Sequence, residues 1–388
     1  MDAPRFIARR LRFKGKIAMI SIAVSFLIMI IAQSVSAGFR KEIRKGVSSI
    51  SGDVQLTSAM LNYINEDDPI SATPSYLSEI EAIKGVDSVT PVVYRVGIIK
   101  KEDTIHGVLV KGLPERKDTI NMGVSIPSRL SELLDIGVGD EMLTYFVGER
   151  IKVRKFKVSS IYQSVLETDQ NLTVYASIED VQRLNGWDAD QVSALEVTLD
   201  DAYRNPVVIK EKNAEIGDLA LMRAEDSDDV LVSTSSVQKY SQLFDWLNLI
   251  DFNVIVILML MTVVAGFNMI SGLLILLFQN ISTIGTLKAL GMTDKSISKV
   301  FLRVSSNLIL KGMLIGNGIA LLFCLIQHTT HIIRLNPANY FVPFVPVAVN
   351  VPMILLADLI AYVVIMLLLW IPLKFIAKVD PAQSVRSA

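Results

Sequence analysis

"ISTIGTLKALGMTDKSISKVFLR", residues 281–303, stands directly after one long apolar run and directly before another. Ile281, Ile284, Leu287, Lys288 and Leu290 recur at helical spacing, and Gly291 is placed as a helix stop ahead of Met292. A short amphipathic helix between two apolar runs reads as a connection on one side of a bilayer. Such a helix docks into a groove on a partner, or it lies on lipid headgroups.

The rest of the chain fits a membrane setting. Of its 388 residues 51% are hydrophobic, and the mean hydropathy is +0.45, too apolar for an ordinary soluble enzyme of this size. Four runs reach the roughly 20 residues that a spanning helix needs: 17–37, 251–278, 304–327 and 351–373. The expected architecture is an α-helical membrane protein with four transmembrane helices and a large α+β extracytoplasmic domain between the first and second. Its parts are a basic N-terminus (1–16), the large domain with membrane-proximal helices (38–250), the helical connection (279–303), a short loop (328–350) and a C-terminal segment (374–388).

Lys and Arg near the helix ends set the orientation. Arg5, Arg9, Arg10, Arg12, Lys14 and Lys16 precede the first span, Lys288, Lys295, Lys299 and Arg303 lie between the second and third, and Lys374, Lys378 and Arg386 follow the fourth. These three regions belong inside, which puts both termini in the cytoplasm. The 328–350 loop holds only Arg334 and is rich in proline. Arg40, Lys41, Arg44 and Lys45 after the first span oppose this arrangement, but large domains translocate largely regardless of charge. "RRLRFKGK" followed by an apolar run and "SVSAG" resembles a signal peptide; the run exceeds the usual ~7–15 residues of such a core, so it is read as an uncleaved span.

Within 40–250, "DVQLT" (53–57), "SVTPVVYRVGII" (88–99), "IHGVLVKGL" (105–113), "RKFKVSSIY" (154–162) and "NLTVYAS" (171–177) have strand character. Segments 74–85, 127–137 and 177–187 have helical spacing with Ser or Pro starts and Gly stops. The acidic runs 64–69 and 225–229 read as solvated loops.

The chemistry of catalysis is missing from this pattern. No Gly-x4-Gly-Lys loop occurs to cradle a nucleotide phosphate. Cys324 is the single cysteine, so no intrachain disulfide forms and Cys-based metal sites are excluded. His328 and His331 lack neighbouring carboxylates and read as an interfacial pair; His106 sits in a strand without an evident partner. No catalytic, cofactor or metal residue is assigned, and a net charge of -1 gives no reason to expect nucleic acid. Lys311 and Asp358 fall inside spans, at depths about 10 Å apart by helical rise, so a direct ion pair is not expected. Lys311 can snorkel to headgroups, and Asp358 must face a neighbouring helix, a partner or a wet cavity.

"STIGTLKALGMTDKSI" resembles the E-I-G-x-L-K-A-L-G-M signature of permeases of the FtsX/MacB type, with Thr283 at the usual Glu, and "VDPAQSVR" resembles their P-A-x-A-L-R ending. A narrower resemblance, to the LolC/LolE lipoprotein-releasing permeases, runs in order through "SAGFRKEIRKGVSSISGDVQL", "VLVKGLP", "IPSRLSELLDIGVGDEMLTYF", "FKVSSIYQSVLETDQNLTVYASIEDVQRLNGW" and "AGFNMISGLLILLFQNISTIGTLKALGM". It implies a multi-pass protein of the bacterial inner membrane, a non-enzymatic ABC transporter subunit powered by two separate ATPase subunits and paired with a second permease copy or a paralogue. Lipoproteins would be drawn from among the membrane lipids and passed to a periplasmic carrier. The resemblance further implies ATPase coupling by Ile284, Leu287, Lys288, Leu290 and Met292. A lipid or substrate cavity would be lined by Ile30, Val35, Phe39, Leu249, Phe252 and Val256, and a carrier-binding hook would begin at Gln163, Ser164, Val165 and Leu166. Within the wider family an export permease for peptides or antibiotics, or an FtsX-like regulator of a cell-wall hydrolase, has the same layout.

Overall fold

The computed structural model describes residues 16–61, 63–64, 68–101, 104–114, 122–148, 151–163, 172–225, 228–336, 340 and 342–374. Among them, four helices are long and apolar enough to cross a membrane: Lys16–Ser51, Ser241–Gln279, Asp294–Thr330 and Val351–Leu373. The apolar runs are the central parts of these longer helices. Polar flanks extend a helix wherever a cap satisfies its end: Thr293 accepts from the Ser296 N–H, which starts the third helix at Asp294, well before its apolar run. Among the described residues all the strands fall between Ser51 and Ser241 in chain order. The chain divides into two compact units, one of residues 1–40, 247–333 and 345–388, the other of 41–246 and 334–344.

The membrane unit has one shared apolar core. Phe26, Met269, Phe301 and Ile365 contribute to it from the first, second, third and fourth spans. Close approach of the helices depends on small residues. A Cβ at Gly312 would lie 2.8 Å from Ile22 Cγ2 and 3.0 Å from the Met19 carbonyl oxygen, and one at Gly316 would collide with the Ala23 carbonyl. Gly312-x3-Gly316 is thus the seam that seats the third span on the first. Polar contacts add register: Asn268 donates to Ser21, Ser306 and Tyr362 hydroxyls pair at 2.8 Å, and Ser36 and Arg40 both reach Asp251, at 2.8 and 2.9 Å. Asp251 therefore neutralises Arg40, one of the positive charges that stand against the expected orientation.

The second unit holds a nine-stranded sheet, in order β11-β1-β10-β3-β4-β8-β5-β7-β6. The strands are β1 (Val54–Ser58), β3 (Val86–Lys101), β4 (Thr104–Leu113), β5 (Gly123–Pro127), β6 (Glu141–Phe146), β7 (Lys152–Tyr162), β8 (Thr173–Ser177), β10 (Ala194–Leu199) and β11 (Leu231–Ser235). A separate two-stranded pair joins β2 (Ile70–Ser71) to β9 (Gln191–Val192). Because β6 also pairs with β3, at Ile98↔Tyr145 and Ile99↔Thr144, the strands β3-β4-β8-β5-β7-β6 close into a barrel and leave no free edge there. Val110, Val124, Val158 and Val174 share its inner face by register, with Phe146 and Phe156 packed edge to face at 6.1 Å. Long β3 runs out of the barrel into the open antiparallel half, where it pairs with β10.

A buried polar network crosses that open half. Lys111 Nζ lies 2.7 Å from Glu196 Oε2 and donates to the Ile50 carbonyl at 2.7 Å, with side-chain exposures of only 2% and 7% for the two ions. Tyr94 donates to the other Glu196 oxygen, Gln55 Nε2 donates to Tyr94 at 2.7 Å, and Lys239 donates to Gln55 Oε1 at 2.9 Å. Lys239 also stands 5.7 and 5.8 Å over the Tyr63 and Tyr94 rings. Burial lowers the Lys239 pKa, with Lys111 adding to the shift and Glu196 opposing it. Burial, reinforced by Glu196, holds the Tyr94 hydroxyl well above its ordinary value.

Two outcomes follow from these contacts. Glu196→Gln leaves the Lys111 ammonium buried without a counter-charge and should destabilise the sheet domain by about 3–5 kcal/mol, seen as a lower thermal midpoint; removing both charges together, as Lys111→Met with Glu196→Leu, should recover much of that loss. In the membrane unit, Gly316→Val forces the first and third spans apart and should cost about 1–3 kcal/mol, measured by unfolding in detergent, whereas Gly318→Ala, whose Cβ would meet nothing within 4 Å, should be neutral.

Candidate functional site

The stretch 281–303 folds as a nine-residue helix, Ile281–Ala289, turned sharply into the third span. Its end is a complete Schellman motif. Gly291, at φ +84°, donates to the Lys288 carbonyl and Met292 donates to the Leu287 carbonyl, both at 2.9 Å. Lys288 then pairs with Asp294 at 3.0 Å, across the turn. The helix is therefore fixed in direction relative to the third span and cannot swing as a loop would.

Its two faces differ. Ile284 is 1% exposed and belongs to the core shared by all four spans, while Ile281, Leu287 and Met292 are half-buried against the same core. Thr283, Thr286, Ala289 and Leu290 face out, Leu290 being 79% exposed. Of the five residues expected to couple to a partner, Leu290 alone lies wholly on the free face. Ile284 is an internal anchor: its side chain seats the helix on its own spans. Thr283 and Thr286, which the apolar spacing passes over, complete the outward face.

Among the residues expected to line a cavity, Leu249 and Phe252 are each 62% exposed, and Val256 is exposed on the same stripe. Val35 and Phe39 are half-buried. Ile30 departs from the expectation: it is buried against Ala320 and Ile354, so the third and fourth spans cover it. Asp358 is buried and accepts a 2.6 Å hydrogen bond from Asn317 Nδ2, which places it in an interhelical contact; Lys311 is exposed and makes no ion pair with it. Cys324 is buried in the third span.

Gln163 directly follows β7, which ends at Tyr162, and Ser164, Val165 and Leu166 lie outside the described residues. The two strands that carry this segment are pinned together at its base: Tyr162 Oη donates to the Thr173 carbonyl at 2.6 Å, and the Tyr162 and Tyr175 rings stand 4.9 Å apart. His328 and His331 are both exposed, and the described residues hold no group of three or more His, Cys, Asp or Glu that could bind a metal ion.

Comparison with known proteins bears on the spans and the connecting helix together. Residues 255–381 match the family model described as FtsX-like permease C-terminal. The lipoprotein-releasing system transmembrane protein LolC of Neisseria meningitidis is 23% identical over 416 residues, covering 97% of this chain and 96% of that protein. The corresponding LolE of Haemophilus influenzae is 21% identical over 408 residues, with 96% and 94% covered. Among solved structures, the periplasmic region of MacB from Actinobacillus actinomycetemcomitans is 12% identical and covers 51% of this chain and 94% of that one, at a TM-score of 0.31. The chain is thus similar along almost its whole length to LolC and LolE, and its last three spans carry the match to the FtsX-like permeases.

Proposed function

We propose that this chain is the permease subunit of an ABC transporter that lifts lipid-anchored proteins out of the bacterial inner membrane and passes them to a periplasmic carrier, driven by separate ATPase subunits. The observation that carries the proposal is the two-faced helix Ile281–Ala289. Its inner residue Ile284 packs in the core common to all four spans, and its outer residues Thr283, Thr286 and Leu290 are exposed. A push from an ATPase on the outer face therefore acts on the whole helix bundle, because the Schellman turn and the Lys288–Asp294 pair remove the slack. The likeness to LolC and LolE supports lipoproteins as the cargo.

The work required is substantial. Each lipid CH2 withdrawn from the bilayer costs about 0.8 kcal/mol, so acyl chains need an apolar surface to receive them. The exposed stripe Leu249, Phe252 and Val256 on the second span offers one, and a second permease copy or paralogue facing it would enclose a cavity.

Leu290→Asp should leave the membrane unit folded and weaken retention of the ATPase by about tenfold or more, since some 1.5–3 kcal/mol of apolar burial is lost at the interface. Co-purification reads this directly. Ile284→Asp should instead lower the thermal stability of the bundle itself. Full ATPase retention and full lipoprotein release by Leu290→Asp would overturn the coupling role. The orientation is tested by thiol labelling in a Cys324→Ala background: Val138→Cys, on an exposed site of the sheet domain, should react with an impermeant reagent in spheroplasts, and Lys295→Cys should not.

A further inference from the structure

Within the sheet domain a cavity of about 390 Å³ opens between the last turns of the helix Lys16–Ser51 and one face of the open half-sheet. Its wall is built by strand register. Thr198 of β10 pairs with Ser88 of β3, and Glu196 pairs with Thr90, so these four side chains stand on a single face. Lys45, Ser48 and Ser49 cover that face from the helix, and Lys111 and Arg204 close it from the sides.

The chemistry of this lining is one-sided. Three cations and five hydroxyl groups meet a single carboxylate, and the apolar contribution is only Leu113 and Pro114. The carboxylate of Glu196 is already spent: one oxygen receives Lys111 and the other receives Tyr94. A cationic ligand would thus find no uncommitted carboxylate to balance its charge. The donors divide differently. Lys111 is held by Glu196 and Ile50, Arg204 by Asp53 and Asp201, and Ser48 by Asp53. Lys45 is exposed and, with Ser88, Thr90 and Thr198, makes no side-chain hydrogen bond or ion pair among the described residues. One free ammonium and three free hydroxyls therefore converge on a space large enough for a phosphate with its ester substituents. At the helix end Lys111 Nζ occupies the Ile50 carbonyl and offsets part of the negative end of the helix dipole.

We propose that this cavity binds a phosphate group, presented as a phospholipid headgroup or as free phosphate. Lys45 supplies the charge, and Ser88, Thr90 and Thr198 supply hydrogen bonds to the phosphate oxygens. The inference does not depend on the transport reading, because it uses only the lining of the sheet domain.

Titration calorimetry on the full chain in phosphate-free detergent tests it, with inorganic phosphate and dihexanoylphosphatidylglycerol as the two probes. Saturable one-to-one binding of at least one probe is expected in the native chain. In the variant Lys45→Ala with Ser88→Ala and Thr90→Val, affinity should fall by about tenfold or more at an unchanged thermal midpoint. Tighter binding of the lipid than of phosphate identifies a headgroup site, and equal binding identifies a free-phosphate site. Lys45→Ala alone, a change at an exposed position, gives a second measure should the triple variant unfold. No saturable binding of either probe, or binding that neither variant weakens, overturns the proposal.

Discussion

Inside a bilayer four apolar helices gain little by hiding from lipid, because lipid tails are as apolar as their own side chains. What holds the spans together must then be close packing and a few hydrogen bonds. Gly312 and Gly316 supply the packing, bringing the third span against the backbone of Met19 and Ala23 on the first. Asn317 with Asp358 and Ser306 with Tyr362 supply the hydrogen bonds between the third and fourth. The third span thus packs on the first and hydrogen-bonds to the fourth, and it is also the one continuous with the connecting helix.

That continuity makes a short helix effective as a lever. A flexible loop would absorb a displacement in its own backbone torsions, whereas here the turn is fixed by a left-handed glycine, two backbone hydrogen bonds and an ion pair. Ile284 then shares the displacement with all four spans. The same burial explains why sequence periodicity misplaces this residue. An i, i+3, i+4 pattern states which residues share a face, but a groove on another protein and a core formed by the chain's own spans demand the same pattern.

Much of the fold is legible in the sequence for local reasons. β3, β4, β7 and β8 show β-branched alternation bounded by turn residues, and the helices Ser128–Leu134 and Ile178–Asn185 start after Pro127 and Ser177. The helix Pro206–Arg223 escapes notice although Asn205 caps it and Pro206 opens it. Its buried face is made by Ile209, Ile216, Gly217 and Ala220, so no stripe of large apolar residues marks it. β10 is obscured by Glu196, a charge in the middle of a buried strand that only partners distant in sequence can satisfy. In the same way Ile30 reads as a cavity-lining residue, although the third and fourth spans close over it.

The ions buried around Glu196 are costly to desolvate, and apolar residues of similar volume would serve stability as well. Their value lies in what they orient. Lys111 fixes the carbonyl of Ile50, at the end of the long helix that leads into the sheet domain, and the chain of Glu196, Tyr94 and Gln55 reaches Lys239, just before the helix that leads out. Capping of the intervening turn by Ser235 and Gln238 holds Lys239 in place. A domain that interrupts a membrane protein between two spans must keep its entry and exit strands in fixed register, or any strain applied to one span would be lost within the domain. A directional hydrogen-bonded network resists such slippage better than a greasy contact of equal area, since a small shift breaks several bonds at once.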